Sequence, residues 1–453
     1  MRVAVIGAGL SGLSAACHLV GAGHDVVVLE RESAPGGRAG TIADGGYLFD
    51  TGPVVMTMPG LLDDALAATG ATTADVGLTM RRLDPAYRAV YADGSQIRVR
   101  DSTEATRAEI LATCGPRDAA AFDRFVPWLE RLYRIEMEPF IARNYDSVLG
   151  LLARPGAAVG LLREGGLGRL GSAVGRYFDD DRLARLFSFQ ALYAGVAPAD
   201  ARAMFAVITY MDSIAGVYYP QGGMRAIPLA MGRALERAGA TMHLGAEVSA
   251  ILRRGDGAVA GVELTGGDRI AADAVVCTLD LPVAFRRLLP DLPMPRTLAR
   301  GTYSPSAVVW HVGVEGVPGA DVGHHNIHFG DDWDGAFEAL IDRGELMPDP
   351  SRLVSIPSIS DDSLAPPGHS TLYVLEPVPN LSGRVDWARE TEPMRERLLG
   401  FLEAAGYPTA IRTEHFVGPL DWQAQGMHLG TPFALAHLFR QSGPFRPGNV
   451  ARR

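Results

Sequence analysis

The feature that most constrains the fold is the stretch VAVIGAGLSGL at residues 3–13, where a short β-branched run leads directly into glycines spaced G-x-G-x-x-G. In this pattern Gly7 permits a tight turn, Gly9 lets the backbone approach a pyrophosphate, and Gly12 allows close contact between helix and strand. The apolar residues that follow predict a helix, whose N-terminus offers N–H groups and the positive end of its dipole to phosphates. We therefore predict a strand, turn and helix that bind a dinucleotide.

A second strand is predicted at residues 25–29, and it ends at Glu30. This acid follows the glycines by about 20 residues, where it would meet the hydroxyls of an adenosine ribose that carries no phosphate. Strand, glycine turn, helix, second strand and acid together are far more specific than the glycines by themselves. The chain therefore begins with a Rossmann-like α/β unit.

Composition excludes several classes of function. At 453 residues the chain is long enough for two or three domains of about 100–200 residues each. Its 42 basic residues are all arginines, which excludes a Schiff-base lysine, a P-loop lysine and attachment of pyridoxal phosphate. The net charge of −10 argues against a nucleic-acid surface. Three widely separated cysteines indicate a reduced, cytoplasmic setting, and no apolar run reaches the roughly 18 residues that span a bilayer.

The stretch HHNIHFGDDW at residues 324–333 raises the question of a metal site. Side chains alternate along a strand, so His324, Asn326 and His328 would lie on one face and His325 on the other. Histidines arranged in this way do not converge on one ion. We therefore predict no metal.

The stretch ERESAPGGRAGT at residues 30–41 bears on which dinucleotide is bound. A guanidinium such as that of Arg38 can grip phosphate oxygens in bidentate fashion. The stretch resembles the G-G-R element of the superfamily of FAD-containing amine oxidases and phytoene desaturases. LFDTGPVVMT at residues 48–57 resembles the superfamily's strand and turn that pass the flavin, and later strands resemble those that reach the adenine and return to the dinucleotide fold. The residues thereby implied to bind non-covalent FAD are Gly7, Gly9, Leu10, Ser11, Gly12, Glu30, Arg31, Gly37, Arg38, Gly52, Pro53, Val54, Val248 and Asp280.

Narrower motifs extend the resemblance over nearly the whole chain, among them YYPQGGM at 218–224, SDDSLAPPGHS at 360–370 and FRPGNV at 445–450. On these motifs the chain is identified as a member of the bacterial-type phytoene desaturase family of FAD-dependent, amine oxidase-like flavoproteins. The resemblance implies an enzyme that dehydrogenates a long, apolar polyisoprenoid such as phytoene, with hydride passing to flavin N5 and quinone or oxygen as electron acceptor. A related carotenoid isomerase or ketolase, another FAD oxidoreductase and a non-catalytic lipid binder remain alternatives. The absence of lysine argues against an amine oxidase.

The implied fold is α/β, with a discontinuous Rossmann-like FAD-binding domain interleaved with a mixed-sheet substrate domain and a helical cap. The predicted boundaries are residues 1–100 and 213–300 for the FAD-binding domain, 101–212 for the substrate-facing or membrane-facing cap, 301–425 for the substrate-domain sheet and 426–453 for a truncated return to the FAD-binding domain.

The apolar, glycine-rich stretch at residues 148–178 has arginines as its only bases. The stretch is equally consistent with a cap that contacts a membrane surface through snorkelling arginines and with helices that line an apolar cavity. Peripheral contact with the inner face of the cell membrane is therefore an expectation. Asp146 is the candidate for a carboxylate beside a carbocation-like intermediate, and a solvated helix cap is the competing interpretation of this residue.

The last residues, 442–453, bear on the completeness of the flavin site. In the family, the FRPGNV loop leads into a further strand, a Gly/Pro-rich turn and a long helix that cover the pyrophosphate and the flavin ring. No such segment follows Val450. We therefore expect weakened FAD binding and low activity unless a partner or a further segment completes the site. The alternative is a shortened member of the family that closes the site in another way.

Overall fold

A computed structural model describes residues 1–144 and 155–450. Strands β1 to β18 are, in order, Arg2–Ile6, Asp25–Leu29, Thr41–Asp44, Tyr47–Asp50, Met80–Arg82, Tyr87–Tyr91, Gln96–Val99, Tyr218–Pro220, Thr241–His243, Val248–Arg253, Val259–Leu264, Arg269–Ala271, Ala274–Cys277, Ser306–Glu315, His325–Phe329, Arg352–Ser355, His369–Val378 and Ala410–Val417. Helices α1 to α14 are Leu10–Gly21, Pro59–Ala68, Thr103–Thr113, Pro116–Glu136, Pro155–Arg163, Leu170–Val174, Asp181–Leu186, Ala206–Thr209, Ala226–Arg237, Leu281–Arg287, Arg296–Ala299, Trp333–Phe337, Trp387–Ala404 and Pro419–Ala424.

The first sheet is parallel and has the strand order β13-β1-β2-β9. Strands β1 and β2 are almost wholly buried, as expected of β-branched strands covered on both faces. Helix α1 packs on one face together with α9, and the antiparallel sheet β10-β11-β12 shares an apolar cluster with the other face. The helix and second strand predicted after the glycines are confirmed at α1 and β2, so the glycine turn lies at the carboxyl edge of β1.

The second sheet is mixed and has the order β18-β14-β17-β16-β15-β6-β7. Its β14 and β17 pair over ten residues, and α13 packs on their apolar face. Strands β6 and β7 form a hairpin, and β6 pairs in parallel with β15. Residues 87–99 thus belong to this sheet although they lie within the range 1–100 assigned to the FAD-binding domain. The domain boundaries themselves stay a prediction, while the combination of parallel and mixed sheets with helices confirms the α/β class.

A helical region lies between β7 and β8 and packs its aromatic core around α4. The amphipathic α4 buries Phe122, Phe125 and Trp128, and the short helices after residue 155 close over them. Two π-helical turns, Met137–Ile141 and Tyr210–Ile214, lie in this region. Among the described residues, no helix combines the length and apolar character needed to cross a membrane.

Candidate functional site

The glycine turn after β1 can be built only with glycines. Gly7 has a φ of +99°, which side chains rarely adopt. A Cβ atom on Gly12 would lie 1.9 Å from the carbonyl oxygen of Gly7, so α1 could not approach the turn. Helix α1 begins at Leu10 with no side-chain cap, and the first turn, which includes Ser11, presents its N–H groups at the carboxyl edge of the sheet. This edge is therefore suited to a phosphate.

Glu30 fastens the end of β2 to this turn. Its side chain is buried, and Oε2 accepts a 2.7 Å hydrogen bond from the N–H of Ala8. The other oxygen accepts a 3.0 Å bond from the N–H of Glu32. Since both oxygens are held by backbone groups, the carboxylate has a fixed position one residue beyond β2, where the sequence predicted a ribose contact.

Two further glycine segments pack against the turn, backbone to backbone. The N–H of Gly36 donates to the carbonyl oxygen of Ala8 at 2.9 Å, and a Cβ on Gly37 would come within 3.1 Å of the Cα of Gly9. A Cβ on Gly52 would lie 2.3 Å from the carbonyl oxygen of Arg38. The structure thus brings together three segments that the sequence predicted separately, and we call them the glycine cradle: residues 7–12, 36–38 and 52.

Both arginines predicted at the site point towards a late segment of the chain. Arg31 donates from Nη2 to the carbonyl oxygen of Gln425 at 3.1 Å and pairs with Glu32 at 2.9 Å. Arg38 donates from Nη1 to the carbonyl oxygen of Pro432. Contact of either guanidinium with a pyrophosphate stays a prediction.

Pro53, Val54 and Val248 lie at different depths. Pro53 is exposed beside the cradle, whereas Val54 is buried and its carbonyl oxygen lies 3.0 Å from Nε2 of His325. Val248 is buried beneath the parallel sheet in the cluster that includes Ile6. Val54 therefore connects the cradle to the seven-stranded sheet, and Val248 packs below it.

Asp280 follows β13 and has one carboxylate oxygen available to a ligand. Its Oδ2 accepts a 2.9 Å bond from the N–H of His428, while Oδ1 is buried and makes no hydrogen bond within the described part of the chain. Burial raises the pKa of this carboxyl. The residue borders a cavity of about 440 Å³ whose walls are mostly apolar and include Phe205, Tyr303 and His437.

These features fit a flavin dinucleotide. The cradle places backbone N–H groups for phosphates, Glu30 supplies an acid for a ribose, and the cavity offers apolar walls for a ring system. Thr278 connects the cradle to Asp280, because its hydroxyl donates to the carbonyl oxygen of Ile6 at 2.9 Å. The other candidate, Asp146, lies outside the described residues.

Asp50 was missed by the sequence reasoning, although it stands directly before Thr51 and Gly52. It is buried, accepts the hydroxyl proton of Tyr219 at 2.6 Å and the N–H of Met224 at 2.8 Å, and so ties the cradle to the YYPQGGM stretch. Burial raises its pKa to about 6, against the opposing hydrogen bonds. Its signal was an acid inside an otherwise apolar strand, between Phe49 and a glycine turn.

The histidines at the start of β15 differ from the expected alternation. His324 precedes the strand, so its ring is free to turn back and lies 4.4 Å from that of His325, which corrects the placement of these two on opposite faces. His328 bonds to Tyr407 at 2.8 Å instead. Within residues 1–144 and 155–450, no three His, Cys, Asp or Glu side chains gather as a metal-binding group.

Comparisons with known proteins cover the whole chain. A family model described as flavin containing amine oxidoreductase matches residues 10–453. Phytoene dehydrogenase from Streptomyces griseus is 48% identical over 100% of this chain and 88% of that protein. The zeta-carotene-forming phytoene desaturase from Myxococcus xanthus is 34% identical over 100% of this chain and 87% of that protein.

Solved structures support the same fold at low identity. An oxidoreductase from Methanosarcina mazei superposes with a TM-score of 0.63 at 19% identity, covering 99% of this chain and 92% of the other. Putrescine oxidase bound to putrescine superposes with a TM-score of 0.58 at 18% identity, covering 97% and 90%. At sequence identities this low, the superpositions show a shared fold only.

Proposed function

The chain belongs to the family of flavin containing amine oxidoreductases, and on that premise we propose that it desaturates a carotenoid precursor such as phytoene with FAD as its cofactor. The observation that carries the proposal is that relatives matched over 99–100% of the chain are named as a phytoene dehydrogenase and as phytoene desaturases. The glycine cradle supports FAD as the form of flavin, because an acid at the ribose position and N–H groups at a helix N-terminus recognise a dinucleotide.

Each part of the site has a role in holding FAD. The first turn of α1 would bind the pyrophosphate, with Gly9 and Gly37 allowing the backbone to approach. Glu30 would accept hydrogen bonds from the adenosine ribose, and its contacts to Ala8 and Glu32 hold it in place. When bound, the flavin supplies a two-electron acceptor for hydride.

Residues near the ring would orient it and exclude water. Gly52, Pro53 and Val54 would pass one side of the flavin, and Val248 would approach the adenine end through its backbone. Asp280, with a buried oxygen that makes no hydrogen bond within the described residues, would hydrogen-bond to the cofactor.

The apolar walls around the proposed flavin position also suit a hydrocarbon substrate. A hydrocarbon has no polar group to bind, so its affinity comes from apolar area, at about 25 cal/mol per Å² buried. Phe433 and Phe439, 44% and 52% exposed, line the mouth of the cavity together with the exposed arginines Arg143 and Arg446. We also propose that the protein contacts the inner face of the cell membrane peripherally, through this mouth. Quinone or oxygen would reoxidise the flavin.

The test uses purified protein supplied with FAD and with phytoene in liposomes, and it records the flavin spectrum and the pigment products. Bound flavin and new conjugated double bonds are the expected result, and anaerobic reactions with and without quinone identify the acceptor. Glu30→Gln, which weakens the ribose contact, should bind FAD less tightly than Glu32→Gln, whose side chain lies on the surface. A flavin-loaded protein that leaves phytoene unchanged would refute the desaturase assignment, and isomerised or oxygenated products would replace it with a related activity.

A further inference from the structure

Three aromatic side chains form one wall where the helical region packs against the seven-stranded sheet. The ring of Tyr87 on β6 lies 6.2 Å from that of Phe189, edge to face, and Phe189 lies 5.7 Å from Tyr193 in the same manner. Phe189 also contacts Phe329 of β15, at 5.9 Å. Rings at these spacings form a continuous apolar surface. We call Tyr87, Phe189 and Tyr193 the aromatic wall.

Tyr193 is the accessible end of this wall. The residue is 48% exposed, whereas Tyr87 is 1% exposed. Desolvation by the surrounding protein raises the pKa of the Tyr193 phenol above its ordinary value. An apolar chain can therefore reach the aromatic wall at the ring of Tyr193.

A buried carboxyl lies behind the wall. Asp212 belongs to the π-helical turn Tyr210–Ile214 and is 2% exposed. Its Oδ1 accepts hydrogen bonds from Ser213 at 2.7 Å and from Gln190 at 3.3 Å. Its Oδ2 and the hydroxyl of Tyr87 are both buried, and neither makes a hydrogen bond within the described part of the chain. Two unsatisfied polar groups at one buried place indicate a proton-handling site, since leaving them unsatisfied is costly.

The titration of Asp212 suits such a role. Burial raises its pKa to about 7, against the opposing effect of the polar groups around it. The titratable groups that face it are the phenols of Tyr87 and Tyr193. The hydroxyl of Tyr87 interacts with both Asp212 and Tyr193, although it makes no hydrogen bond of ordinary geometry to either. The same π-helical turn packs against α4, whose last residue, Glu136, is a buried acid with its pKa raised to about 9 by desolvation. An acid that ionises near neutral pH is effective as a proton acceptor.

One end of the wall adjoins the segment proposed to pass the flavin. The ring of Tyr87 lies 5.6 Å from that of His325. His325 in turn contacts the carbonyl oxygen of Val54 at 3.0 Å. A single buried side chain thus separates the wall from the cradle's neighbour Val54.

The other end of the wall adjoins the cavity of about 440 Å³. Ala194, next to Tyr193 in the chain, accepts a 2.8 Å hydrogen bond from the N–H of His437. His437 lines that cavity, which Asp280 also borders. The aromatic wall therefore extends from the neighbourhood of Val54 to that of the cavity, and Tyr193 lies at its cavity end.

We propose that Tyr193 accepts the proton that a polyisoprenoid chain loses on desaturation and passes its own phenolic proton through the hydroxyl of Tyr87 to Asp212. The inference rests on the proposed function. One C–H bond of the substrate breaks with its electron pair, which leaves as hydride to the flavin. The C–H bond on the neighbouring carbon breaks and its proton bonds to the oxygen of Tyr193, while the electron pair left behind forms the new C=C bond. At the same time the O–H bond of Tyr193 breaks and its proton bonds to the oxygen of Tyr87, while the O–H bond of Tyr87 breaks and its proton bonds to Asp212. Asp212 becomes neutral, and it later releases the proton to water. The substrate loses two electrons, and the flavin gains them. Tyr193 is the group that touches the substrate, and Asp212 is a positioning residue that acts through it.

The test compares the wild-type protein, Tyr193→Phe and Asp212→Asn, each loaded with FAD. Tyr177→Phe is the matched control, because it removes a phenol from the same helical region at a ring packed on Phe125. Anaerobic reduction of the flavin by phytoene is followed in a single turnover from acidic to alkaline pH. The wild-type rate should rise with pH around a midpoint near 7, as Asp212 ionises. Both variants should be slower by a factor of about 10² or more and should lose that pH dependence, whereas the control should keep both rate and profile.

A second readout does not depend on turnover. Infrared difference spectra of the same proteins, recorded across the pH range without phytoene, should show a buried carboxyl that titrates near pH 7 in the wild type and in Tyr177→Phe. Asp212→Asn should lack it. If wild-type protein makes no desaturated product, the proposed function fails. If it desaturates and Tyr193→Phe keeps the wild-type rate and pH profile, the relay is refuted while the desaturase stands. Tyr193→Phe decides this even where Asp212→Asn fails to fold.

Discussion

Replacement of Glu136 by glutamine is expected to make the stability of this protein less sensitive to pH. Glu136 ends α4, is 2% exposed, and its Oε1 makes no hydrogen bond within the described residues. Burial raises its pKa from 4.5 to about 9. At neutral pH the folded protein therefore keeps this carboxyl protonated, whereas the unfolded chain ionises it.

The size of the effect follows from the proton balance. Between the two pKa values the folded state binds one proton more than the unfolded state, so the free energy of unfolding falls by about 1.4 kcal/mol for each pH unit of increase. The contribution of the protonated carboxyl is fully present below pH 4.5 and is lost as the pH rises towards 9. From about pH 5 to about pH 8 the loss amounts to about 4 kcal/mol. Glutamine has nearly the same size and does not titrate, so the variant does not lose this stability as the pH rises.

The assay is urea unfolding of the wild type, Glu136→Gln and Glu403→Gln at both ends of that range. Fluorescence of Trp128, which is buried in α4, reports on the region concerned. Glu403 is an exposed helical residue in α13, so its variant should follow the wild type at both pH values. The stability advantage of Glu136→Gln should grow with pH, and an advantage that is constant across the range would refute the reasoning.

Two further substitutions test the cradle and the second sheet. Gly12→Ala places a Cβ 1.9 Å from the carbonyl oxygen of Gly7, so the variant should lose its flavin on purification. Gly60 has open space around it, so the control Gly60→Ala should retain the flavin. Equal flavin content in the two variants would contradict this reasoning. Arg352→Leu leaves Glu376, bonded to it at 2.6 Å, buried without its partner and should cost about 3–5 kcal/mol in urea unfolding. Adding Glu376→Leu should recover most of that loss, and a double variant as unstable as the single one would show that the charge is not the cause.

The dinucleotide unit was predictable because its determinants are local. The β-branched run, the glycine spacing and the acid at residue 30 each act within a few residues of their own position, and β1, α1 and β2 appear where they indicate. The packing of Gly37 against Gly9 was not predicted, because the sequence indicated only that each glycine would approach a pyrophosphate.

Other features depend on partners far away in the chain and could not be read from the pattern. Asn326 lies 238 residues from Arg88, its partner across the sheet, and nothing local in the hairpin identifies that neighbour. The unsatisfied oxygen of Asp212 likewise exists because β6 brings Tyr87 against a π-helical turn. The ring of His324 escaped the strand pattern because the strand begins one residue later.

The strand orders of the two sheets have a consequence for how the chain folds during synthesis. Strand β1 gains its second neighbour only when residues 274–277 have been made, and β6 must wait for residues 325–329. Until then the early strands expose unpaired edges, and closing such long loops slows folding. The first hundred residues therefore cannot mature as an independent unit, and the emerging chain depends on protection from aggregation until residues 274–277 complete one sheet and residues 325–329 join the other.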